Sequence, residues 1–273
     1  MNKKYRSILF LMILFGMISG INGLIAQEKR FYEAARISGD ALVIDGKVDE
    51  ATWDSPGWEG SFIQREPYDG KAPTQLTEFK IIYDDEALYI AIRAYDTEPD
   101  KIEKRLTRRD EMEGDLVGVH IDSYYDRRTA FAFLVNASGV KSDYFISNDG
   151  EEDYTWDPVW YVKTSIDSLG WVAEIKIPYT QLRFAKAEQY RWGLNVGRIL
   201  FRLDELSLWQ PIPMDASGWV SQFGDLNGIT GVKPKREVEL LPYIMGKIEN
   251  YEKEEGNPYA DGRDYGFNAG LDG

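Results

Sequence analysis

The fold is decided by one stretch of sequence, Val43-Ile44-Asp45-Gly46-Lys47-Val48-Asp49-Glu50-Ala51-Thr52-Trp53. The pair Asp45-Gly46 favours a tight turn, because glycine adopts backbone angles that other residues avoid. Asp49 can cap one helical turn with its carboxylate, and Trp53 can close the end of a sandwich of sheets with its large ring. The stretch therefore predicts an architectural role and not a chemical one.

The chain that follows this stretch alternates apolar and polar residues with a period of two. In Ala87–Tyr95, the side chains of Leu88, Ile90 and Ile92 share one face, which is typical of a half-buried strand. Similar segments are Leu76–Tyr83, Leu116–Tyr124, Thr129–Asn136, Val140–Ser147, Val159–Ile166, Trp171–Pro178, Arg191–Arg202 and Leu206–Gln210. Many short strands with short turns and almost no helix predict an all-β protein, an antiparallel β-sandwich or a barrel.

The amino-terminal residues have the layout of a secretory signal peptide. Basic residues at Lys3, Lys4 and Arg6 precede the apolar run Ile8–Ile18, and small residues follow as far as Ala26. The run is shorter than the roughly 20 residues that span a bilayer, although an uncleaved anchor is the alternative. Residues 1–26 therefore predict an exported protein, which is periplasmic or associated with the outer membrane.

Composition excludes several classes of site. The chain has 273 residues, no cysteine and a single histidine, which excludes disulfides, thiolate metal sites, a cysteine nucleophile and histidine-rich zinc sites. A formal net charge of −14 disfavours nucleic acid and anionic lipid as partners. Aromatic residues make up 14% of the chain, and some of these rings are candidates for a ligand platform.

The opening stretch resembles the first motif of the family 9 carbohydrate-binding modules, V-x-I-D-G-x-x-D-E-x-x-W. Three further segments, Ala87–Ile90, Asp115–Asp122 and Gly170–Pro178, and the pair Phe223-Gly224 are similar to later strands of that family. The resemblance covers residues 36–232 and implies an antiparallel β-sandwich. It also implies binding of oligo- or polysaccharides, structural calcium, and an association with glycoside hydrolases.

A narrower resemblance links the chain to an exported bacterial family of unknown function. The matching pieces are Arg108-Arg109-Asp110, Asp126-Arg127-Arg128-Thr129, Asn136-x-x-Gly139, Trp156-Asp157-x-x-Trp160 and Trp192-Gly193-x-Asn195. In that family, such a domain precedes a long region that resembles an outer-membrane barrel. Residues 233–273 are therefore expected to be a linker and the beginning of a second, barrel-like β region that continues beyond this chain.

The resemblance also places the sugar site. The family holds a sugar between two tryptophan rings, of which the first corresponds to Met112 and the second to Trp219. A glutamate of the family's site corresponds to Gly118. One aromatic ring is therefore expected to remain, whereas the other ring and an acidic contact are replaced.

Two other groups of residues are candidate ligand contacts. The rings of Trp156 and Trp160 lie in an acidic loop and can either stack on a sugar or fill the core. Arg108, Arg109 and Asp110 precede a central strand, where an arginine fork can bind a uronic acid or pair with a facing aspartate. The exposure of the tryptophan rings separates a sugar site from a structural role.

No residue is predicted to be catalytic, and no metal ligand is assigned. Glycoside hydrolysis needs two carboxylates about 5–9 Å apart, and no motif nominates such a pair. The acidic segment Asp149–Asp153 can coordinate calcium but lacks the spacing of an EF-hand loop. Neither haem nor a nucleotide is expected, because axial ligation of haem would depend on His120 and Met112 alone.

Three functions remain compatible with the sequence. The first is non-catalytic glycan binding by an exported envelope protein that supports polysaccharide degradation. The second is a structural or interaction domain of an outer-membrane protein without sugar binding. The third is a part of a glycoside hydrolase.

Overall fold

A computed structural model describes residues 29–37, 42–234, 241–250, 252, 255–256 and 262–272. The predicted signal peptide lies outside these residues. Within the described ranges, no helix is long and apolar enough to cross a membrane. The strands are β1 (Phe31–Glu33), β2 (Ala35–Arg36), β3 (Ile63–Glu66), β4 (Thr77–Tyr83), β5 (Ala87–Tyr95), β6 (Leu116–Asp122), β7 (Ala130–Asn136), β8 (Lys141–Ser147), β9 (Glu151–Asp153), β10 (Tyr161–Asp167), β11 (Gly170–Pro178), β12 (Gln189–Leu200), β13 (Glu205–Leu208), β14 (Gly224–Thr230), β15 (Leu241–Asn250) and β16 (Arg263–Asp272).

The first fourteen strands form two sheets that pack face to face. The large sheet has nine strands in the order β1-β14-β12-β6-β7-β8-β9, with β13 beside β12 and β3 beside β13. The small sheet has five strands in the order β10-β11-β5-β4-β2. All neighbours are antiparallel except the pairs β1–β14 and β2–β4. The predicted all-β sandwich is thus confirmed, and its sheets also include β1, which precedes the predicted boundary at residue 36.

The main hydrophobic core lies between the two sheets and follows the period-two pattern. Leu88, Ile90 and Ile92 of β5 face this core, as the alternation predicts. From the large sheet, the alternate residues Val117, Val119 and Ile121 of β6 point into the same core. The neighbouring residues of each strand point to the outer faces of the sandwich.

Parts of those outer faces are also buried, which the sequence pattern does not predict. On the small sheet, Trp53 packs with Leu42, Tyr89 and Ala91 in a second cluster of buried residues. Trp53 therefore covers the outer face of this sheet and does not close the end of the sandwich. The prediction for Asp49 is also wrong, because the short helical turn Ala51–Asp54 has Glu50 at its cap position and no side-chain cap hydrogen bond.

One buried carboxylate fixes this covering segment. Glu174 of β11 accepts hydrogen bonds at Oε2 from the backbone N–H groups of Asp45 and Gly46, each at 2.9 Å, and at Oε1 from the indole Nε1 of Trp53 at 3.3 Å. Burial raises the pKa of Glu174 although these donors oppose the shift. Gly46 has a φ of +90°, and a Cβ there would lie 3.1 Å from the backbone of Thr164. Glycine is therefore required at the turn.

Strands β15 and β16 pair with each other as an antiparallel hairpin, and they confirm the strand pattern predicted near the carboxyl end. The register places Ile244 opposite Ala269 and Ile248 opposite Tyr265. Because successive residues alternate between faces, one face of the hairpin carries Pro242, Gly246 and otherwise apolar side chains, with the polar pair Asn250 and Arg263 at its end. The large exposed side chains on that face are Ile244, Ile248, Tyr265, Phe267 and Leu271.

Replacing Glu174 with alanine is expected to lower the free energy of unfolding by roughly 3 kcal/mol, because buried N–H donors at Asp45, Gly46 and Trp53 lose their acceptor. Urea denaturation followed by tryptophan fluorescence measures this loss. The control is Glu188→Ala at an exposed position, for which a change within about 0.5 kcal/mol is expected. Equal stabilities of the two variants would contradict the assigned role of Glu174.

Candidate functional site

A groove with a volume of about 330 Å³ lies on the outer face of the large sheet. Its floor consists of side chains that point away from the main core, on strands β6, β7, β8, β12 and β13. The floor is aliphatic and comprises Leu116, Leu134, Ile146, Ile199, Leu206 and Leu208. These residues belong to a cluster that also buries Ile212, Val220 and Phe223 from the loop between β13 and β14. The loop and the sheet together form the groove.

Met112 and Trp219 both line this groove. The side chain of Met112 is exposed, and Trp219 is partly buried against the cluster beneath the loop. The backbone N–H of Trp219 donates to the carbonyl oxygen of Asp149 at 2.9 Å and to its Oδ1 at 3.1 Å, while Ser221 N–H donates to the same Oδ1 at 2.7 Å. Asp149 therefore sets the position from which the indole faces the groove.

Gly118 lies in the floor of the groove, on β6. A Cβ at this position would lie 2.6 Å from Cγ of Leu134 on β7 and 3.2 Å from the carbonyl oxygen of Phe133. The side chain of Leu134 thus fills the space that a side chain at position 118 would need. A glutamate, which the sequence resemblance assigns to this position in the family, therefore has no room here.

His120 and Tyr144 add a polar pair to the floor. The Nε2 atom of His120 lies 3.1 Å from the hydroxyl of Tyr144, and the imidazole packs against the rings of Trp219 and Phe223. Burial lowers the pKa of His120 to about 4, so the ring is neutral at neutral pH. Among the described residues, Nδ1 of His120 is buried without a hydrogen-bond partner. The pair can exchange hydrogen bonds with a ligand without introducing a charge.

Two charged residues of the groove were missed by sequence reasoning. Arg65 lies on the short strand β3, and its Cζ is 5.0 Å from the centre of the Trp219 ring. Glu152 lies on β9 and accepts a hydrogen bond from the hydroxyl of Tyr154 at 2.7 Å. Arg65 belongs to no motif, and Glu152 belongs to the acidic segment that was considered only for calcium. The tertiary fold brings both residues to the same groove.

Most of the sandwich matches a known family model. The model of the carbohydrate family 9 binding domain-like family matches residues 44–198, which is more than half of the chain. The chain belongs to this family. A search of curated protein sequences finds no match to the chain.

Solved structures of family 9 modules share the fold. A family 9 module from Caldicellulosiruptor kristjanssonii in complex with glucose has a TM-score of 0.52 and 19% identity, and the match covers 76% of this chain and 99% of that module. The complex of a family 9 module from the same organism with cellotriose has a TM-score of 0.52 and 18% identity, and the match covers 74% of this chain and 100% of that module. A proposed carbohydrate-binding protein from Bacteroides uniformis has a TM-score of 0.59 and 12% identity, and the match covers 73% of this chain and 99% of that protein. At these identities, the comparisons show the fold.

Trp156 and Trp160 lie on the inner side of the large sheet, away from the groove. Trp160 is 1% exposed, and its indole Nε1 donates to Oδ2 of Asp143 at 2.9 Å. The ring of Trp156 packs 5.0 Å from Phe131 and 5.5 Å from Phe133, centre to centre, at the edge of the main core. The structure therefore places both rings in packing roles, and a sugar cannot stack on Trp160 where it lies.

The predicted arginine fork forms an internal network and does not face the groove. Nη2 of Arg109 pairs with Asp143 at 2.8 Å and with Asp157 at 2.7 Å. Asp110 accepts a hydrogen bond from the backbone N–H of Asp143 at 3.0 Å, and Arg108 is exposed. The pKa of Asp143 is raised by burial, and its bond to Arg109 opposes that shift. Of the six candidate residues predicted from the sequence, Trp219 alone lines the groove.

The acidic segment that was considered for calcium is engaged in local hydrogen bonds. Asp149 binds the loop that carries Trp219, and Asp153 accepts from the backbone N–H and the hydroxyl of Thr155 at 2.9 and 2.7 Å. Throughout the ranges that the structure describes, no group of three or more histidine, aspartate or glutamate residues is arranged to hold a metal ion. Structural calcium therefore stays a prediction.

The protonation of His120 provides a test of the geometry of the groove. An exposed histidine titrates near pH 6.5, whereas burial lowers the pKa of His120 to about 4. Between these values the unfolded chain binds a proton that the folded chain excludes, so the free energy of unfolding falls as the pH drops from about 6.5 to about 4. The chain has one histidine, so an NMR titration of the imidazole gives this pKa directly. A midpoint near 6.5 would show that the ring is accessible to solvent.

Proposed function

We propose that this chain is a non-catalytic carbohydrate-binding domain and that its ligand binds in the groove between Met112 and Trp219. The observation that carries the proposal is the indole of Trp219, which faces the groove at the position that corresponds to the second sugar clamp of the family. Apolar faces of a sugar ring pack on aromatic surfaces, and nearby polar groups fix the orientation of its hydroxyls. Trp219 and the pair His120–Tyr144 provide both kinds of contact.

The size of the groove suits a short saccharide. Sites for small molecules occupy about 300–1,000 Å³, and this groove lies near the lower end of that range. Two of the similar structures contain glucose and cellotriose. We therefore propose that the groove accepts one or two sugar rings of an oligo- or polysaccharide.

We propose binding instead of hydrolysis because of the charges in the groove. A hydrolytic site places two carboxylates about 5–9 Å apart on either side of the scissile bond. Among the described residues that line the groove, Glu152 is the only carboxylate. Its oxygen atoms can accept hydrogen bonds from sugar hydroxyls, which requires no second acid.

We also propose that the protein is exported and that it supports polysaccharide degradation at the cell envelope. The support for export is the charge and hydropathy pattern of residues 1–26. The support for an outer-membrane location is the row of exposed apolar side chains on one face of the β15–β16 hairpin, because strands of outer-membrane proteins expose one apolar face to lipid. Fractionation of cells that express the chain with and without residues 1–26 tests export. Retention of both forms in the cytoplasm would contradict it.

Replacing Trp219 with alanine is expected to weaken binding of cello-oligosaccharides at least tenfold, because the ring is the one aromatic surface retained from the family's clamp. Isothermal titration of the purified full chain measures this effect. The matched control is Trp58→Ala, which removes an exposed indole that stacks near Lys80 and does not line the groove. Absence of binding by the unmodified chain to any neutral or acidic saccharide would favour a structural or interaction domain, for which the aliphatic floor and Met112 provide the present support.

A further inference from the structure

We propose that the groove selects acidic saccharides and that Arg65 binds the carboxylate of a uronic acid. This inference rests on the proposed function, because it names the class of sugar that the same groove binds. It differs from the uronate site expected at Arg108 and Arg109, since the structure directs the Arg109 side chain to Asp143 and Asp157.

The surroundings of Arg65 leave its positive charge without a counter-charge. Its guanidinium stacks on Trp219 with 5.0 Å between Cζ and the ring centre, and the residue lines the groove. Within the described part of the chain, no ion pair involves Arg65, and its Nε is buried without a hydrogen-bond partner. A partly buried guanidinium is stabilised when an anion replaces the water that it has lost.

Most other arginines of the sandwich are paired with acids. Such pairs occur at Arg36, Arg93, Arg105, Arg109, Arg127, Arg191, Arg198 and Arg202. The chain carries 46 acidic against 32 basic residues, so a carboxylate partner is the ordinary situation for an arginine here. Arg65 is thus a local positive site in an acidic protein, and it is located in the groove. The planar guanidinium fork matches the geometry of a carboxylate, which it can bind with two parallel hydrogen bonds.

The remaining groove residues match the rest of a uronic acid. The carboxylate of a uronic acid lies at the edge of the sugar ring, so a ring that packs on the accessible part of Trp219 brings its carboxylate near Arg65. Glu152 belongs to β9 at one margin of the large sheet, whereas Arg65 belongs to β3 beyond β13 at the other. Glu152 can accept hydrogen bonds from ring hydroxyls and repels a second carboxylate. The groove therefore favours one orientation of a singly charged sugar.

The test compares glucuronate with glucuronamide, which has the same shape but no charge, and with glucose, by titration of the purified full chain. Glucuronate is expected to bind at least tenfold more tightly than glucuronamide, and added salt is expected to reduce this preference. Arg65→Gln is expected to abolish the preference, so that glucuronate and glucuronamide bind with affinities within about twofold of each other. The matched control, Arg183→Gln, removes an exposed arginine that does not line the groove and is expected to retain the preference.

The outcomes separate the inference from the proposed function. If glucose or cello-oligosaccharides bind and glucuronate binds no more tightly than glucuronamide, the acidic-sugar inference is overturned and the proposed function stands. If the preference persists in Arg65→Gln with an unchanged melting temperature, the assignment to Arg65 is overturned. Hexanoate is a further probe, and competition equal to that of glucuronate would show that an apolar carboxylate is sufficient and would overturn the sugar class. If no saccharide binds, the proposed function itself fails.

Discussion

The arrangement of the sandwich depends on one buried carboxylate, that of Glu174. Its two oxygens bind the Asp45-Gly46 turn and the indole of Trp53, and so hold an irregular segment against the outer face of the small sheet. A buried carboxylate is costly unless donors surround it, and here three donors do so. The opening motif and strand β11 are distant in sequence but are the two halves of this single interaction. The residues of the motif are restricted because its turn and its tryptophan must both reach the carboxylate of Glu174.

The groove is built on the same principle at the other sheet. Asp149 accepts backbone N–H groups of Trp219 and Ser221 and fixes the loop between β13 and β14 over the large sheet. In both cases, a carboxylate binds the main chain of a loop, and an aromatic residue of that loop covers a sheet. On the small sheet the covering is complete and Trp53 is buried, whereas on the large sheet it is partial and Trp219 faces a groove. The extent of this covering distinguishes the buried Trp53 from Trp219, whose ring faces the groove.

The sequence predicts the strands well because the core imposes a period of two on them, and the structure has β5, β6, β7 and β11 where the alternation places them. It does not predict which outer faces are buried, because the segments that cover them have no regular pattern. Residue type alone does not separate Trp156 and Trp160 from Trp219, because the side of the sheet on which each ring lies distinguishes core from groove. Arg65 gives no signal at all, since its place in the groove arises from the pairing of β3 with β13. Family resemblance located the groove through Met112 and Trp219 but could not show that Gly118 is closed by a neighbour.

The contact between Gly118 and Leu134 restricts how this groove can change during evolution. A glutamate restored at position 118 would collide with Leu134, and a smaller residue at position 134 alone would leave a void in the aliphatic floor. Each single step is unfavourable, whereas the two changes made together are compatible. The two positions therefore form a coupled pair on adjacent strands. Lineages that carry the glycine and the leucine are expected to keep both, and their ligand preference can diversify only through the walls of the groove.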